Sequence, residues 1–315
     1  MTTRRSFHAW LGRSALAAAL LMTAGFSATA TAQEKTLDVV ATTGMLGDAV
    51  QQVGGDRVKV TTLMGSGVDP HTYRQTRSDI ARLTRADVIV WHGLHLEAQL
   101  KPLFEDLARR KRVVPLAEAI PKDRLLGDED DTALYDPHVW MDPELWQFII
   151  SRARDTLIEA DPAGRDVYEA NAKRYSEEVS ALNGRVKALL QSVPEQGRVL
   201  VTAHDAFRYF GRANGYEVLG IQGISTESEA SLHRVEELVR FLVNRKIKAI
   251  FVESSVSDQN IRALIEGAAA RGHKVVIGGE LFSDAMGAPG TVEGTYIGMI
   301  EHNAKTVAGA LKGGN

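Results

Sequence analysis

From 162 to 193 the chain has no proline after Pro162, two glycines (Gly164 near the start and Gly184 in the interior) and helix formers elsewhere. Val167, Ala170, Tyr175, Val179, Leu182, Val186 and Leu189 recur at helical spacing. About 30 residues rising about 1.5 Å each would span about 45 Å. A single helix of that length is a stiff connector, unlike a Gly/Ser hinge. On both sides of it, short β-rich runs alternate with helical stretches. Before it, strands are expected at 37–42, 57–63, 87–91 and 112–116, with helices at 48–53, 78–85 and 97–109 between them. After it, strands are expected at 198–202, 216–222, 248–253 and 274–277, with helices at 205–214, 232–244, 258–271 and 295–311. Such alternation predicts parallel sheets flanked by helices. The expected fold is therefore α/β, with two lobes of parallel sheet joined by one long rigid connector helix. Lobe boundaries fall at 33–161 and 194–315, with the connector at 162–193.

Residues 1–32 are of a different kind. Arg4, Arg5 and Arg13 precede an Ala/Leu-rich run at 15–26, which is shorter than the roughly 20 apolar residues that cross a bilayer. Ala30-Thr31-Ala32 then offers a cleavage site before Gln33. This layout is that of a secretory signal peptide. Thr3-Arg4-Arg5-Ser6-Phe7 resembles a twin-arginine signal, so both the Sec and the Tat route fit it. The 315 residues contain no cysteine, which excludes disulfides, thiolate ligands and a lipidated cysteine behind the signal. The expectation is a monomer, free in the periplasm and without a membrane anchor. A formal net charge of -3 gives no basic stripe of the kind nucleic acid requires.

Four residues follow strand ends, where open α/β sheets place ligands. His71 lies in Asp69-Pro70-His71, past the second strand. His138 lies in Asp136-Pro137-His138, in a loop before a helix. His204 follows the strand ending at Thr202, and Asp284 follows the last strand. Two belong to each lobe, so an interlobe cleft could gather all four. Three imidazoles and a carboxylate suit zinc, with the carboxylate drawing the site toward manganese. A lone histidine is usually a core or surface residue, but two Asp-Pro-His tripeptides in strand-following loops weaken that explanation. Glu253 and Asp142 are candidates to orient imidazole N–H groups. His92 and His95 have the spacing of a metal pair, although His95 is expected to cap or pack in the turn after the third strand. His233 and His302 are expected on solvated helix faces, His273 in a structural role, and 127–131 as a solvated acidic loop. His8 leaves with the signal peptide.

The order of motifs resembles a known family. Asp69-Pro70-His71, the run from His92 to Glu97, Asp136-Pro137-His138-Val139-Trp140-Met141-Asp142, Thr202-Ala203-His204-Asp205-Ala206-Phe207, Gly223-Ile224-Ser225-Thr226-Glu227-Ser228-Glu229, Phe251-Val252-Glu253-Ser254-Ser255 and Ser283-Asp284-Ala285-Met286-Gly287 are together similar to the cluster A-I (cluster 9) substrate-binding proteins of zinc and manganese ABC importers. The resemblance runs from about Leu37 to the C-terminus. It implies two lobes bridged by one long helix, one Zn2+ or Mn2+ per chain as transported ligand, and ligands at His71, His138, His204 and Asp284. A membrane permease and a cytoplasmic ATPase are the implied partners. The commonest manganese pattern has glutamate where His204 stands, and dedicated zinc receptors carry a long His-rich loop before His138 that is missing here. The set of three histidines and one aspartate is most similar to spirochaete-type receptors. The Ser-Asp-Ala-Met-Gly motif leans toward manganese and iron, the third histidine toward zinc.

Below about pH 6 the imidazoles are expected to protonate, near their reference value of about 6.5, and to compete with the ion. Four protein ligands leave little room for an activated water, which suits transport. The rival reading is a zinc-dependent hydrolase using the same three histidines with Asp284 as general base. No Ser nucleophile elbow or His-Glu-x-x-His helix supports it. A surface adhesin would need the lipid anchor that a cysteine-free chain cannot carry.

Overall fold

The computed structural model describes residues 36–128 and 133–312. The expected signal peptide and part of the acidic stretch lie outside the described residues. Strands β1 (Leu37–Ala41), β2 (Val58–Thr62), β3 (Val88–Trp91) and β4 (Arg112–Pro115) form one parallel sheet in the order β2-β1-β3-β4. Every residue of β3 is buried, as a strand covered on both faces requires. Three helices join these strands: α1 (Gly44–Gly54), α2 (Arg77–Arg85) and α3 (Lys101–Ala108). The helix expected from 97 begins only at Lys101. Gly93, Leu94 and His95 adopt positive φ of 84°, 51° and 70°, and this left-handed turn delays it.

Two antiparallel-packed helices carry the chain to the second half, α4 (Pro143–Ala160) and α5 (Arg165–Gln191). At 27 residues, α5 runs about 40 Å. The expected start at Pro162 is instead a 3-10 turn, Pro162–Gly164. The buried face of α5 is Tyr168, Ala172, Tyr175, Val179, Leu182, Val186 and Leu190. Val167 is exposed, contrary to the expected stripe, as is Ala170. Tyr168 takes the inward position because its hydroxyl donates to Asp161 (2.8 Å), which also holds the buried Arg57.

The second half contains β5 (Val199–Thr202), α6 (Arg208–Asn214), β6 (Glu217–Gly220), α7 (Leu232–Arg245), β7 (Ala249–Glu253), α8 (Gln259–Ala270), β8 (Val276–Leu281) and α9 (Tyr296–Lys312). Here β5 pairs with β6 and β7 with β8, both parallel, and β5 lies beside β7. β8 starts later and runs farther than the expected 274–277. Its Gly278-Gly279-Glu280 run lacks an apolar signal, yet any Cβ at Gly278 would meet the Phe251 ring at 2.8 Å and Ala310 at 2.9 Å. Glycine is what lets α9 lie across this strand.

All described residues belong to one compact unit. A single apolar cluster includes Val39 and Trp146 from the first half, Tyr175 and Leu182 from α5, and Phe251 and Tyr296 from the second. Asp48 of α1 adds polar ties across it, accepting from the Tyr175 hydroxyl (3.2 Å) and from the backbone N–H of Tyr296 (3.0 Å) at the start of α9. The four strand-following loops named above converge beyond the carboxyl ends of the strands.

Candidate metal centre

Each histidine-bearing loop is shaped by its own short-range chemistry. In both Asp-Pro-His tripeptides the aspartate accepts from the backbone N–H two residues on. Asp69 Oδ1 takes His71 N (2.8 Å), and Asp136 Oδ1 takes His138 N (3.0 Å). These are Asx turns, with a proline between that has a set φ and no competing N–H. Asp136 goes further, because the same oxygen lies 2.8 Å from His138 Nδ1. At the end of β5, the Thr202 hydroxyl donates to the carbonyl of His204 (2.8 Å). Glu253, at the end of β7, receives both N–H groups of His204: backbone N at 2.9 Å and Nδ1 at 2.5 Å. Behind Asp284, Asn303 of α9 grips Phe282 through both its N–H and its carbonyl.

His71, His138, His204 and Asp284 thereby meet with one ligand atom each, all within 4.8 Å of one another. His71 Nε2 stands 3.3 Å from His138 Nε2, His138 Nε2 3.4 Å from Asp284 Oδ1, and His204 Nε2 3.2 Å from Asp284 Oδ2. Ligands about 2.1 Å from a tetrahedral zinc stand about 3.4 Å apart, so the spacing matches such an ion. None of the four is more than 2% exposed. Both Asp284 oxygens and His204 Nε2 are buried with no hydrogen-bond partner, their mutual approach having ion-pair distance without hydrogen-bond geometry. A buried carboxylate without donors is costly, and a cation between these atoms removes that cost.

The carboxylates set the electrostatics. Burial drives Asp284 upward, but His204 and His138 together outweigh it and hold the carboxyl well below its usual range. Burial lowers His138, and Asp136 and Asp284 overcome it, pushing the imidazole up to about 9. Asp284 and Glu253 likewise overcome burial at His204 and raise it well above its usual value. At His71 burial wins, bringing it down to about 3. The expected onset of proton competition below pH 6 is therefore corrected: for His138 and His204 it begins at higher pH. Once each ring has lost its extra proton, with Nδ1–H directed at Asp136 and Glu253, the Nε2 lone pairs face the centre, a tautomer inferred from these partners.

Of the two carboxylates expected behind the imidazoles, Glu253 occupies that position and Asp142 does not. Asp142 caps α4, accepting from Glu144 N (2.9 Å). Asp136 does the work at His138, and the signal for it was the Asx turn itself. His92 and His95 form no pair. His92 is buried with Nε2 2.7 Å from the Pro137 carbonyl, supporting the His138 loop. His95 is exposed, contrary to the expected packing. Glu97 closes this turn, accepting from His92 N (2.7 Å), Gly93 N (3.2 Å) and the Thr42 hydroxyl (2.6 Å). His233 is exposed and His273 bonds the Ile247 carbonyl (2.6 Å), both as expected, whereas His302 is only partly exposed on α9, its Nε2 3.0 Å from the Glu280 carbonyl and its ring edge-on to Phe282.

The family model described as zinc-uptake complex component A, periplasmic, matches residues 39–310. The chain belongs to this family. Among curated members, the manganese-binding lipoprotein MntA of Bacillus subtilis is 45% identical over 279 residues, 89% of this chain and 91% of that protein. The zinc-binding protein TroA of Treponema pallidum is 46% identical over 273 residues, 87% and 88% of the two chains. The solved structure of the periplasmic zinc-binding protein TroA superposes with a TM-score of 0.85 at 45% identity, covering 88% of this chain and 99% of that one. The two-lobed α/β architecture of the zinc-uptake family is thus the architecture of this chain.

Proposed function

We propose that this protein is the exported receptor of an ABC importer, capturing one divalent transition metal between its lobes and presenting it to a membrane permease driven by a cytoplasmic ATPase. The observation that carries this reading is the buried cluster of His71, His138, His204 and Asp284, with its ligand atoms within 4.8 Å. Membership of the zinc-uptake family supports it, as do relatives named for binding manganese and zinc. We assign those four residues as the ligands, with Zn2+ or Mn2+ as the cargo and iron(II) as a further candidate. Asp284 sits inside the cluster and not beside it as a general base, which favours carriage over hydrolysis. The absence of cysteine from the 315 residues supports a mature protein free in the periplasm and released from a signal at 1–32, although several relatives are named lipoproteins. Monomeric action accords with a site built wholly from one chain. The apolar cluster shared by both halves favours small lobe movements, with α5 as a rigid connector.

The test is elemental analysis of protein stripped of metal and then offered equimolar zinc, manganese and iron(II) without oxygen. One retained equivalent of zinc alone identifies a zinc receptor. Zinc outcompetes manganese at most nitrogen and oxygen sites, so substantial manganese retention identifies a site tuned by geometry. Retention of none of the three overturns the proposal.

A further inference from the structure

We propose that Trp140 is a positioning residue that sets how far the Asp284 carboxylate reaches toward the three histidines, and with it the balance between manganese and zinc. This rests on the receptor function proposed above.

Trp140 lies two residues after His138, in the 3-10 turn Val139–Met141, and is fully buried. Its ring stands edge-on to His138 at 5.2 Å and to His92 at 5.0 Å. Its Nε1 donates to the carbonyl of Ser283, the residue before Asp284, at 2.7 Å. One rigid side chain therefore abuts a ligand of the first half and holds the backbone that carries a ligand of the second. Trp140 is itself anchored, because its carbonyl accepts from the Tyr296 hydroxyl (2.9 Å), and the N–H of Tyr296 is held by Asp48. On its other side Ser283 is steadied by its hydroxyl contact with Ser255 (2.9 Å), which belongs to the same half. The indole bond is what refers Asp284 to the His138 loop.

Asp284 supplies the cluster's oxygen ligand, and the other three are imidazoles. Carboxylate oxygen suits manganese, and imidazole suits zinc. Zinc also holds with three protein ligands and a water. A loosened Asp284 therefore costs manganese binding more than zinc binding.

The test is Trp140→Phe, which keeps an aromatic ring and deletes the donor, compared with Trp146→Phe. Trp146 is equally buried and stacks on Tyr296 (4.6 Å), but it makes no hydrogen bond to the ligand loops among the described residues. Affinities for Mn2+ and Zn2+ are measured by chelator competition, the visible spectrum of the Co2+-loaded protein reports ligand geometry, and melting of the stripped protein reports stability. We expect Trp140→Phe to lower Mn2+ affinity relative to Zn2+ by about tenfold or more and to alter the Co2+ spectrum. Trp146→Phe lowers the melting temperature while leaving the ratio and spectrum as in wild type. If Trp140→Phe does not fold, Tyr296→Phe, which frees the Trp140 carbonyl, shifts the same ratio in the same direction. An unchanged ratio in the folded variant, with wild-type protein binding normally, overturns the role of Trp140 alone. Wild-type protein that binds neither metal overturns the receptor function and this assignment with it.

Discussion

Glu253→Gln is the sharpest single perturbation of the centre. Glu253 offers two oxygens to two donors of His204, backbone N at 2.9 Å and Nδ1 at 2.5 Å. Glutamine keeps one acceptor and replaces the other with an NH2 group. In either amide orientation, an N–H of His204 faces an N–H of the glutamine. If the ring escapes by changing tautomer, its proton moves to Nε2, the atom proposed to bind the ion. Losing one charge-assisted bond costs about 1.5–3 kcal/mol. Partners of metal-ligating imidazoles are worth about 10–100-fold in affinity, or about 1.4–2.8 kcal/mol at about 1.4 kcal/mol per tenfold. The two estimates agree. Chelator competition near neutral pH should show that loss for both Zn2+ and Mn2+, with stoichiometry unchanged. Wild-type affinity in Glu253→Gln would refute the claim that this carboxylate orients His204.

Asp142→Ala should behave oppositely: it removes the cap of α4, costs about 1 kcal/mol of stability in denaturant unfolding, and leaves metal affinity intact. Binding should release protons, because His138, raised to about 9, and His204, raised well above its usual value, must each lose one. Affinity therefore climbs with pH between about 6.5 and 8.5, and titrations in buffers of different ionisation enthalpy count the protons. In the stripped protein the sign reverses. A raised histidine stabilises fully below its unfolded value of about 6.5 and loses that contribution as pH rises through about 9, so melting temperature falls across that window. Glu97, pushed up to about 7 by burial, adds a loss in the same direction, nearly complete by pH 7. His71, held down at about 3, contributes a constant amount above about 6.5. Gly220→Ala would bring a Cβ within 2.6 Å of Asp205 N and 2.7 Å of its Cα. It should destabilise by about 1–3 kcal/mol and weaken metal binding by shifting the turn that carries His204, both read from melting with and without Zn2+.

His71, His204 and Asp284 were legible because each lies in a loop beyond a strand end, where chain order tells which loops gather at the carboxyl edge of a parallel sheet; His138, well past β4 and just before α4, was legible from its repeat of the Asp-Pro-His tripeptide. What lies behind them was less so. Asp136 and Asp142 flank His138 on either side, and spacing cannot say which one turns inward. The choice is made by Pro137, which folds Asp136 back onto His138, and by Pro143, which starts α4 and engages Asp142 as its cap. Helix α4 itself left little periodic trace. It packs against α1 on one side and α5 on another, so Leu145, Trp146, Ile149, Ile150, Ala153, Leu157 and Ile158 are all buried and its apolar face is broad. The phase of α5 was right from Tyr175 through Val186 and wrong at its two ends: Leu190 is buried where Leu189 was expected, and in the first turn the Arg57–Asp161–Tyr168 contact decides the inward face. A polar bond across 104 residues leaves no mark in a hydrophobic stripe. Nor does a pattern of residue types reveal that the indole of Trp140 reaches Ser283.

The most direct test of the central claim is anomalous X-ray diffraction from crystals of protein loaded with one equivalent of Zn2+, measured at the zinc edge. One peak is expected, at about 2.0–2.2 Å from Nε2 of His71, His138 and His204 and from an oxygen of Asp284. A peak elsewhere on the surface, or none between these four residues, would contradict it.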